Sequence, residues 1–257
     1  MPYKHAIVRP PSTSFAQGLT TADLGEPNLE VALDQHAAYC TALEQCGLSL
    51  NRMEPDPQYP DSTFVEDTAV VTERSAILTR PGATSRRGEV SSVEKVLSQF
   101  YPVFNAIHSP GTLDGGDICQ VGDHFFISIS ERTNEIGARQ LARLLEQDGF
   151  SSSFVDIRGT EGLLHLKSGI AYLGEDRLVL VEALTEHDAF QDYEIINVDP
   201  SENYAANCVR VNDYVLMAAG YPKLEAAISS LGYRTLKLEV SEFQKMDGGL
   251  SCLSLRF

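Results

Sequence analysis

The sequence contains no tryptophan, few cysteines and few basic residues. Its five cysteines are an odd number and form no Cys-x-x-Cys pair, which argues against both a disulfide framework and a thiol-rich zinc site. The 20 lysines and arginines stand against 36 aspartates and glutamates, giving a formal net charge of −16. Because phosphate binding requires clustered basic residues, we expect no nucleic-acid partner.

Long apolar runs are missing as well. No stretch approaches the roughly eighteen apolar residues of a membrane span, and residues 1–5 lack the basic-then-apolar pattern of a signal peptide. An apolar content of 43% is still sufficient for a globular core. We therefore expect a cytoplasmic protein with reduced thiols and no membrane contact. Since no linker or low-complexity segment interrupts the sequence, we predict a single domain over residues 1–257.

One unit recurs along the chain: a leading residue, a short apolar strand, a polar turn and a second strand. Two strands joined by a short polar turn indicate a β-hairpin. The leading positions of the five copies are Asp67, Asp117, His165, Asn207 and Cys252. The fifth copy supplies only one strand, over residues 252–257, and residues 5–10 offer a second. Pairing these segments would close a ring and remove an exposed sheet edge.

Each hairpin is followed by a helical pattern and a further strand. Helices are predicted over residues 29–46, 89–100, 134–147 and 223–231, with a weaker one near 187–192. The strands that follow them are predicted over residues 49–53, 103–107, 154–157, 194–198 and 234–240. The predicted fold is therefore an α/β, five-bladed propeller of ββαβ repeats with pseudo-fivefold symmetry, closed by N- and C-terminal strands.

If the first strand of each unit points inward, the five leading residues meet near the axis. A thiolate at Cys252 is a nucleophile, and His165 can protonate a leaving amine and then deprotonate water. A carboxylate beside that histidine would fix its tautomer and stabilise its cationic form. A cysteine or a histidine alone is more often a buried core residue. The repeat outweighs the interpretation as core residues, because it places an acid, a base and a thiol at equivalent positions of successive copies.

Two acidic segments suggest the ligand. Residues 60–67 contain three carboxylates and an aromatic ring, and residues 111–117 add two carboxylates beside glycines. Carboxylates bind a guanidinium through paired hydrogen bonds, and an aromatic face adds a cation–π contact. The expected partner is a small cationic molecule.

The chain resembles the guanidine-modifying enzymes, the pentein superfamily of five-bladed α/β propellers, and most closely its branch that hydrolyses methylated arginines. The resemblance extends over essentially the whole chain. The motifs that carry it are Gly18-Leu19-Thr20, Pro60-Asp61-Ser62 with Phe64-Val65-Glu66-Asp67, Thr79-Arg80-Pro81-Gly82 with Ser85-Arg86-Arg87-Gly88-Glu89, Leu113-Asp114-Gly115-Gly116-Asp117, Leu164-His165-Leu166-Lys167, Tyr204-Ala205-Ala206-Asn207 and Asp247-Gly248-Gly249-Leu250-Ser251-Cys252.

The resemblance implies a role for each site residue. Cys252 would be the nucleophile, His165 the general acid and base, and Asp114, rather than Asp117, the orienting carboxylate. The residues implied in substrate binding are Asp61, Glu66 and Asp67 for the guanidinium, Arg86 and Arg132 for the substrate carboxylate, and Leu19 and Phe64 as mobile lid and wall.

The implied activity is that of a hydrolase acting on carbon–nitrogen bonds of linear amidines. It would convert N-omega-methylated arginine to citrulline and a methylamine through a covalent S-alkylthiouronium intermediate on Cys252. Such covalent catalysis requires no metal and no organic cofactor. The resemblance is also consistent with a homodimer.

Related activities remain as alternatives. Arginine deiminases of this architecture typically carry an aspartate two residues after the histidine, where this chain has Lys167. The missing carboxylate favours an alkylated arginine, while arginine deimination and hydrolysis of citrulline or another ureido amino acid stay open. Amidinotransferases share the core, and the compact length argues against them. A non-catalytic module that binds cationic ligands is the alternative from a different class.

Overall fold

The structure is a computed structural model that describes residues 2–102 and 104–257. Five three-stranded sheets and the helices between their strands make up the described fold. The strands are β1 (His5–Val8), β2 (Ser49–Arg52), β3 (Ala69–Val71), β4 (Ala76–Leu78), β5 (Phe104–Ala106), β6 (Ile118–Val121), β7 (His124–Ile129), β8 (Ser151–Asp156), β9 (Ile170–Gly174), β10 (Arg177–Leu180), β11 (Glu194–Asn197), β12 (Val209–Val211), β13 (Tyr214–Ala218), β14 (Arg234–Leu238) and β15 (Leu255–Arg256). The helices are α1 (Leu29–Gln45), α2 (Val90–Leu97), α3 (Glu135–Gln147), α4 (Glu182–Thr185), α5 (Pro222–Ser230) and α6 (Ser241–Gln244).

Each sheet is one blade with the same plan. In the blade of β6, β7 and β8, the first two strands form an antiparallel hairpin and the third pairs in parallel with the second. Helix α3 makes the crossover, since a parallel connection needs a long return. It begins where the side chain of Asn134 accepts the Gly137 N–H at 2.8 Å, and it buries Leu141 and Leu145. The predicted ββαβ repeat and five-bladed propeller are confirmed.

The first strands of the blades line the propeller axis. Strand β9 packs beside both β6 and β12, and β15 packs beside β3. Buried apolar side chains fill the space between neighbouring blades; Val70 and Ile77 of one blade, for example, join Ile118 and Phe125 of the next. The third strands lie at the outer edges of the sheets. Within the described ranges, no helix is both long and apolar enough to cross a membrane.

The two ends of the chain close the ring. Strand β15 pairs antiparallel with β1, with Ile7 opposite Leu255. The N–H of His5 donates to the Phe257 carbonyl at 2.7 Å, and the N–H of Phe257 donates to the His5 carbonyl at 2.9 Å. The sheet order β15, β1, β2 confirms the predicted closure by the terminal strands.

The leading residue of each copy lies in a 3₁₀ turn before the first strand or, for His165 and Asn207, directly beside one, which corrects the prediction that it opens the strand. These turns are Val65–Thr68, Gly115–Asp117, Leu166–Ser168, Pro200–Ala206 and Ser251–Leu253. Polar side chains, not a strand ladder, satisfy part of the backbone here: Asp117 accepts the Leu166 N–H and Asn207 accepts the Ser251 N–H. The final strand is consequently only Leu255–Arg256, shorter than the predicted 252–257.

Smaller differences concern element boundaries. The weak helix predicted near residues 187–192 is a single 3₁₀ turn, Asp188–Phe190, preceded by the short helix α4. The strand predicted over 103–107 is β5, and Val103 lies outside the described residues. Strand β8 begins at Ser151, earlier than the predicted residue 154. The prediction left out the three serines because serine has little strand preference, but in the structure they pair in register with β7.

We predict that Leu255→Ala destabilises the whole ring. Leu255 is buried with Ile7 and Val65 between the closing blade and its neighbour, so the truncation should lower the free energy of unfolding by about 2–5 kcal/mol. Urea denaturation measures the change. The matched control is Leu24→Ala, at a side chain that is 53% exposed, which should change stability by less than about 0.5 kcal/mol. Equal effects of the two variants would contradict the closure argument.

Candidate active site

A pocket opens at the end of the axis where the 3₁₀ turns lie. It brings together Leu19, Asp61, Phe64, Asp67, Arg86, Arg132, His165 and Cys252, all predicted from the sequence, with Leu164, Met246, Asp247 and Gly248. These residues come from different blades and from the segment after α6. Of the predicted site residues, Asp114 lies behind His165 and the side chain of Glu66 points elsewhere.

His165 is held by a carboxylate. Its Nε2 lies 3.1 Å from Oδ2 of Asp114, a side chain with no exposed surface. The other oxygen of Asp114 accepts the N–H of Gly82 at 2.8 Å, so the carboxylate is fixed from both sides. Asp117 instead accepts the hydroxyls of Ser128 and Ser130. The carboxylate in contact with the imidazole is therefore that of Asp114.

Nearby negative charge keeps the imidazole protonated. Burial alone would lower the pKa of His165, but the carboxylates of Asp67, Asp114 and Asp117 outweigh it and raise the pKa to about 9. Burial likewise opposes ionisation of Asp67, whose pKa is nevertheless lowered by the positive charges of His165 and Arg86. At neutral pH the resting site thus contains an imidazolium between carboxylates, which is the form of a general acid.

The two arginines of the pocket differ in their partners. Arg86 is buried and donates to Asp67 Oδ2 at 2.5 Å and to Glu89 Oε2 at 2.9 Å. It also donates to the main-chain carbonyls of Asp61 and Phe64. The guanidinium of Arg132, in contrast, makes no hydrogen bond to any side chain or carbonyl of the described residues. Among the described residues of the pocket, Arg132 thus offers a guanidinium without a hydrogen-bond partner, available to an anionic group.

Cys252 is partly buried in the turn Ser251–Leu253. Burial, followed by the negative charges of Glu66 and Asp67, raises the pKa of its thiol to about 12. The resting residue is consequently a thiol at neutral pH. A thiolate is the reactive form of a cysteine, and positive charge brought into the pocket would favour ionisation of this thiol.

Glycines allow the pocket walls to approach closely. A Cβ on Gly116 would lie 2.9 Å from Cγ of His165 and 3.0 Å from Asp67 Oδ1. A Cβ on Gly248 would lie 2.2 Å from the ring of Phe64. All three distances are shorter than a normal contact, so site residues that pack against Gly116 and Gly248 leave no space for a side chain at either position.

The segment around Leu19 covers the pocket. The Leu19 side chain is 43% exposed, and its N–H donates to Asp61 Oδ1 at 3.0 Å. The N–H of Thr21 donates to Asp247 on the opposite wall. The enclosed space is only about 30 Å³, little more than one or two water molecules occupy. Because the Leu19 segment lies over this space, we expect it to shift when a larger ligand binds.

Glu66 and Lys167 lie on the other side of the turns Leu166–Ser168 and Ser251–Leu253. Glu66 Oε1 accepts Lys167 Nζ at 2.7 Å, and its Oε2 accepts the Ser251 hydroxyl at 2.8 Å. Both side chains line a separate cavity of about 1040 Å³ within the ring of first strands, together with Arg256. The geometry does not bring the Glu66 carboxylate, predicted to hold a guanidinium, into the pocket.

Sequence reasoning missed several pocket residues. Leu164 and Met246 are apolar and resemble core residues; Leu164 belongs to a motif of the resemblance but carried no predicted role, and nothing in the sequence singles out Met246. Asp247 has a positive φ of 55° next to a glycine pair, and that context could have drawn attention to it. Glu89 does not line the pocket but is the buried partner of Arg86; burial raises its pKa to about 7 despite that arginine, and its spacing of three residues from Arg86 could have indicated the pair.

One group of side chains has donor atoms close enough for a metal ion. Atoms of Asp67, Asp114 and His165 lie within 4.8 Å of one another. Each of them already has a protein partner, and Arg86 supplies a positive charge at Asp67. This arrangement suits proton transfer better than cation binding.

Comparison with known proteins agrees with this geometry. The family model described as arginine deiminase matches residues 34–219, which places the chain in the class of guanidine-modifying hydrolases. N-terminal domains of cyanobacterial arginine dihydrolase ArgZ share the fold at a TM-score of 0.87 and 18% identity, over 98% of this chain and 96% of theirs.

Closer relatives specify the family. The chain is 47% identical to an N(G),N(G)-dimethylarginine dimethylaminohydrolase of Pseudomonas aeruginosa over 99% of this chain and 100% of the relative. It is 35% identical to a Streptomyces coelicolor enzyme of the same name, over 100% and 98%. A cysteine-to-serine variant of the Pseudomonas enzyme, solved with citrulline, superimposes with a TM-score of 0.97 at 46% identity over 100% of both chains. The chain belongs to the dimethylarginine dimethylaminohydrolase family.

We predict a specific pH dependence of stability from His165. Its pKa rises from 6.5 to about 9 on folding, so the stability that it contributes is fully present below the unfolded pKa and lost as pH rises through about 9. Urea unfolding between pH 6 and pH 10 should therefore show a steeper loss of stability in the parent than in His165→Gln. The Cys252 thiol titrates in both proteins and cancels in the difference. Parallel curves would refute the assignment.

Proposed function

We propose that the protein hydrolyses N-omega-methylated arginine to citrulline and a methylamine. The observation that carries the proposal is the meeting of Cys252, His165 and Asp67 in one pocket. Solved relatives add support: one contains citrulline, and a histidine-to-glycine variant is an adduct with S-methyl-L-thiocitrulline. The ligand class is thus a small amino acid with a guanidinium-like end.

The pocket charges suit the two ends of such a substrate. Asp67 and Asp61 present carboxylates to the guanidinium, beside the ring of Phe64. The pKa of Asp61 is raised by burial, so a bound guanidinium would also favour its ionised form. Arg132 has no competing partner among the described residues and binds the substrate carboxylate in this proposal. Arg86 acts through Asp67, which it holds in place.

The first half of the reaction uses the imidazolium. The cationic substrate lowers the pKa of the Cys252 thiol, which loses its proton to solvent, and the thiolate attacks the guanidinium carbon. His165 donates its proton to the departing methylated nitrogen as the carbon–nitrogen bond breaks. An S-alkylthiouronium intermediate and a neutral His165 remain.

The second half reverses the role of His165. Neutral His165 removes a proton from water, whose oxygen attacks the thiouronium carbon. As the carbon–sulfur bond then breaks, the hydroxyl proton of the tetrahedral adduct passes to the departing Cys252 sulfur, which restores the resting thiol, and neutral citrulline is released. Asp114 stabilises the imidazolium that re-forms. The order of proton transfers follows from the raised pKa of His165.

Free arginine is the second candidate substrate, favoured by the arginine deiminase family model that matches residues 34–219. Lys167 at the second position after His165 removes a carboxylate from the neighbourhood, and its side chain points to Glu66 and away from the pocket. This favours the methylated substrate. Cytoplasmic location and a homodimer remain predictions.

Mass spectrometry after acid quench tests the covalent step. Incubation with dimethylarginine should leave an adduct on the peptide that contains Cys252, while the buried Cys40, Cys46, Cys119 and Cys208 provide unmodified internal controls. Cys252→Ser should give neither adduct nor citrulline. Citrulline release from dimethylarginine, monomethylarginine and arginine is compared in parallel. Faster turnover of arginine would overturn the substrate assignment, and turnover by Cys252→Ser would overturn the mechanism.

Arg132→Gln tests recognition of the substrate carboxylate. A charged hydrogen bond contributes roughly 1.5–3 kcal/mol, so KM for dimethylarginine should rise about 10- to 100-fold with a smaller change in kcat. The decarboxylated analogue of dimethylarginine should show little difference between parent and variant. Arg143→Gln, at an exposed arginine of α3, is the matched control. Equal losses with both ligands would assign Arg132 another role.

A further inference from the structure

The buried carboxamide of Asn207 connects two turns, Leu166–Ser168 after His165 and Ser251–Leu253 around Cys252. We call them the catalytic turns. Its Nδ2 donates to the Lys167 carbonyl at 2.8 Å and to the Ser251 hydroxyl at 3.0 Å. Its Oδ1 accepts the Ser251 N–H at 2.9 Å. The side chain is therefore satisfied by three hydrogen bonds to two segments that are 40 and 44 residues away.

The residues that it contacts are next to the reactive ones. Lys167 is two residues after His165, in the turn Leu166–Ser168, and Ser251 directly precedes Cys252. The strands that follow these turns, β9 and β15, belong to different sheets. Within the described residues, no strand ladder joins these two turns to set the distance between the imidazole and the thiol, whereas the carboxamide bonds to both turns.

The fit around the carboxamide leaves no space for adjustment. A Cβ on Gly249 would lie 2.5 Å from Cγ of Asn207, which is closer than real Cβ contacts. The chain before Cys252 thus packs directly on the amide plane. This contact explains why position 249 is a glycine: any side chain there would collide with Asn207.

A second connection supports the first. The Ser251 hydroxyl donates to Glu66 at 2.8 Å, and Glu66 accepts Lys167 Nζ at 2.7 Å. Asn207, Ser251, Glu66 and Lys167 therefore form a closed circuit around the back of the site. The Ser251 hydroxyl lies 3.9 Å from Sγ of Cys252, so the circuit ends next to the nucleophile.

We propose that Asn207 is a positioning residue that sets the separation of His165 and Cys252. Its side chain does not line the substrate pocket, so it acts on the steps of bond formation and cleavage and leaves substrate binding nearly unchanged. This inference rests on the proposed hydrolase function. Small displacements of reacting groups reduce rates by up to about 100-fold.

The chain offers a closely matched control at the other end of β12. The Nδ2 of Asn212 donates to the carbonyls of Tyr3 and Cys46, at 3.1 Å and 2.8 Å, and its Oδ1 accepts the Tyr3 N–H at 2.8 Å. Asn207→Asp and Asn212→Asp therefore each remove two donated bonds, keep one accepted bond and add one negative charge. Only the first pair of bonds involves the catalytic turns.

Kinetics of the proposed reaction compare the variants. Asn207→Asp should lower kcat about 10- to 100-fold while KM stays within about threefold, and Asn212→Asp should retain the parent kcat. Asn207→Ala, which adds no charge, should lose kcat to a similar degree. A preserved kcat in Asn207→Ala, an equal loss in Asn212→Asp, or a loss confined to KM would overturn the inference. Thermal melting shows which variants are folded. If Asn207→Ala does not fold, the comparison uses Asn207→Asp, whose side chain has nearly the same shape as that of the parent.

A second measurement does not depend on the substrate. Hydrogen exchange followed by mass spectrometry should show faster exchange in peptides containing Ser251 and Ser168 for both Asn207 variants, and unchanged exchange there for Asn212→Asp. Parent-like exchange in both peptides would overturn the inference even if the parent released no citrulline. A parent that releases no citrulline would overturn the proposed function alone. The two failures are therefore distinguishable.

Discussion

The buried carboxylate of Asp67 is the charge on which the site depends. Arg86 and the Gly116 N–H stabilise it as an anion, and the anion in turn raises the pKa of both His165 and Cys252. Asp67 is thus the largest of the carboxylate charges that keep His165 protonated, and it adds to burial and Glu66 in keeping Cys252 a thiol. A cation at this point neutralises that effect, which links reactivity to the presence of a suitable ligand.

The repeat in the sequence was sufficient to predict the fold and the convergence of distant residues. Periodicity locates strands and helices because each blade must bury its own apolar faces, and the leading positions follow from the spacing. It could not show that these residues lie in or directly beside 3₁₀ turns, since that depends on hydrogen bonds between distant blades, such as that from the Ser251 N–H to Asn207. At the start of each copy, hydrogen bonds between blades override the preference of the local sequence for a strand.

The directions of side chains were the least predictable part of the site. Glu66 and Asp67 are adjacent in sequence, yet Asp67 lines the pocket and Glu66 contacts Lys167 on the opposite side of the turn. Both carboxylates fit the same acidic motif, and only the structure separates their partners. Likewise, both arginines were predicted to hold the substrate carboxylate, but Arg86 is saturated by Asp67 and Glu89. The catalytic and binding roles of these residues remain proposals.

Ring closure has a consequence for the order of folding. The pairing of Ile7 with Leu255 joins opposite ends of the chain, and contacts of such large sequence separation carry a high loop-closure entropy. Cys252 lies just before that pairing strand, so we expect its thiol to reach His165 only when the most non-local contact of the molecule has formed. Partly folded chains would then contain the acid and the carboxylates without the nucleophile in place. Enzymatic activity would therefore appear only after the whole propeller has folded, and not when a subset of its blades has formed.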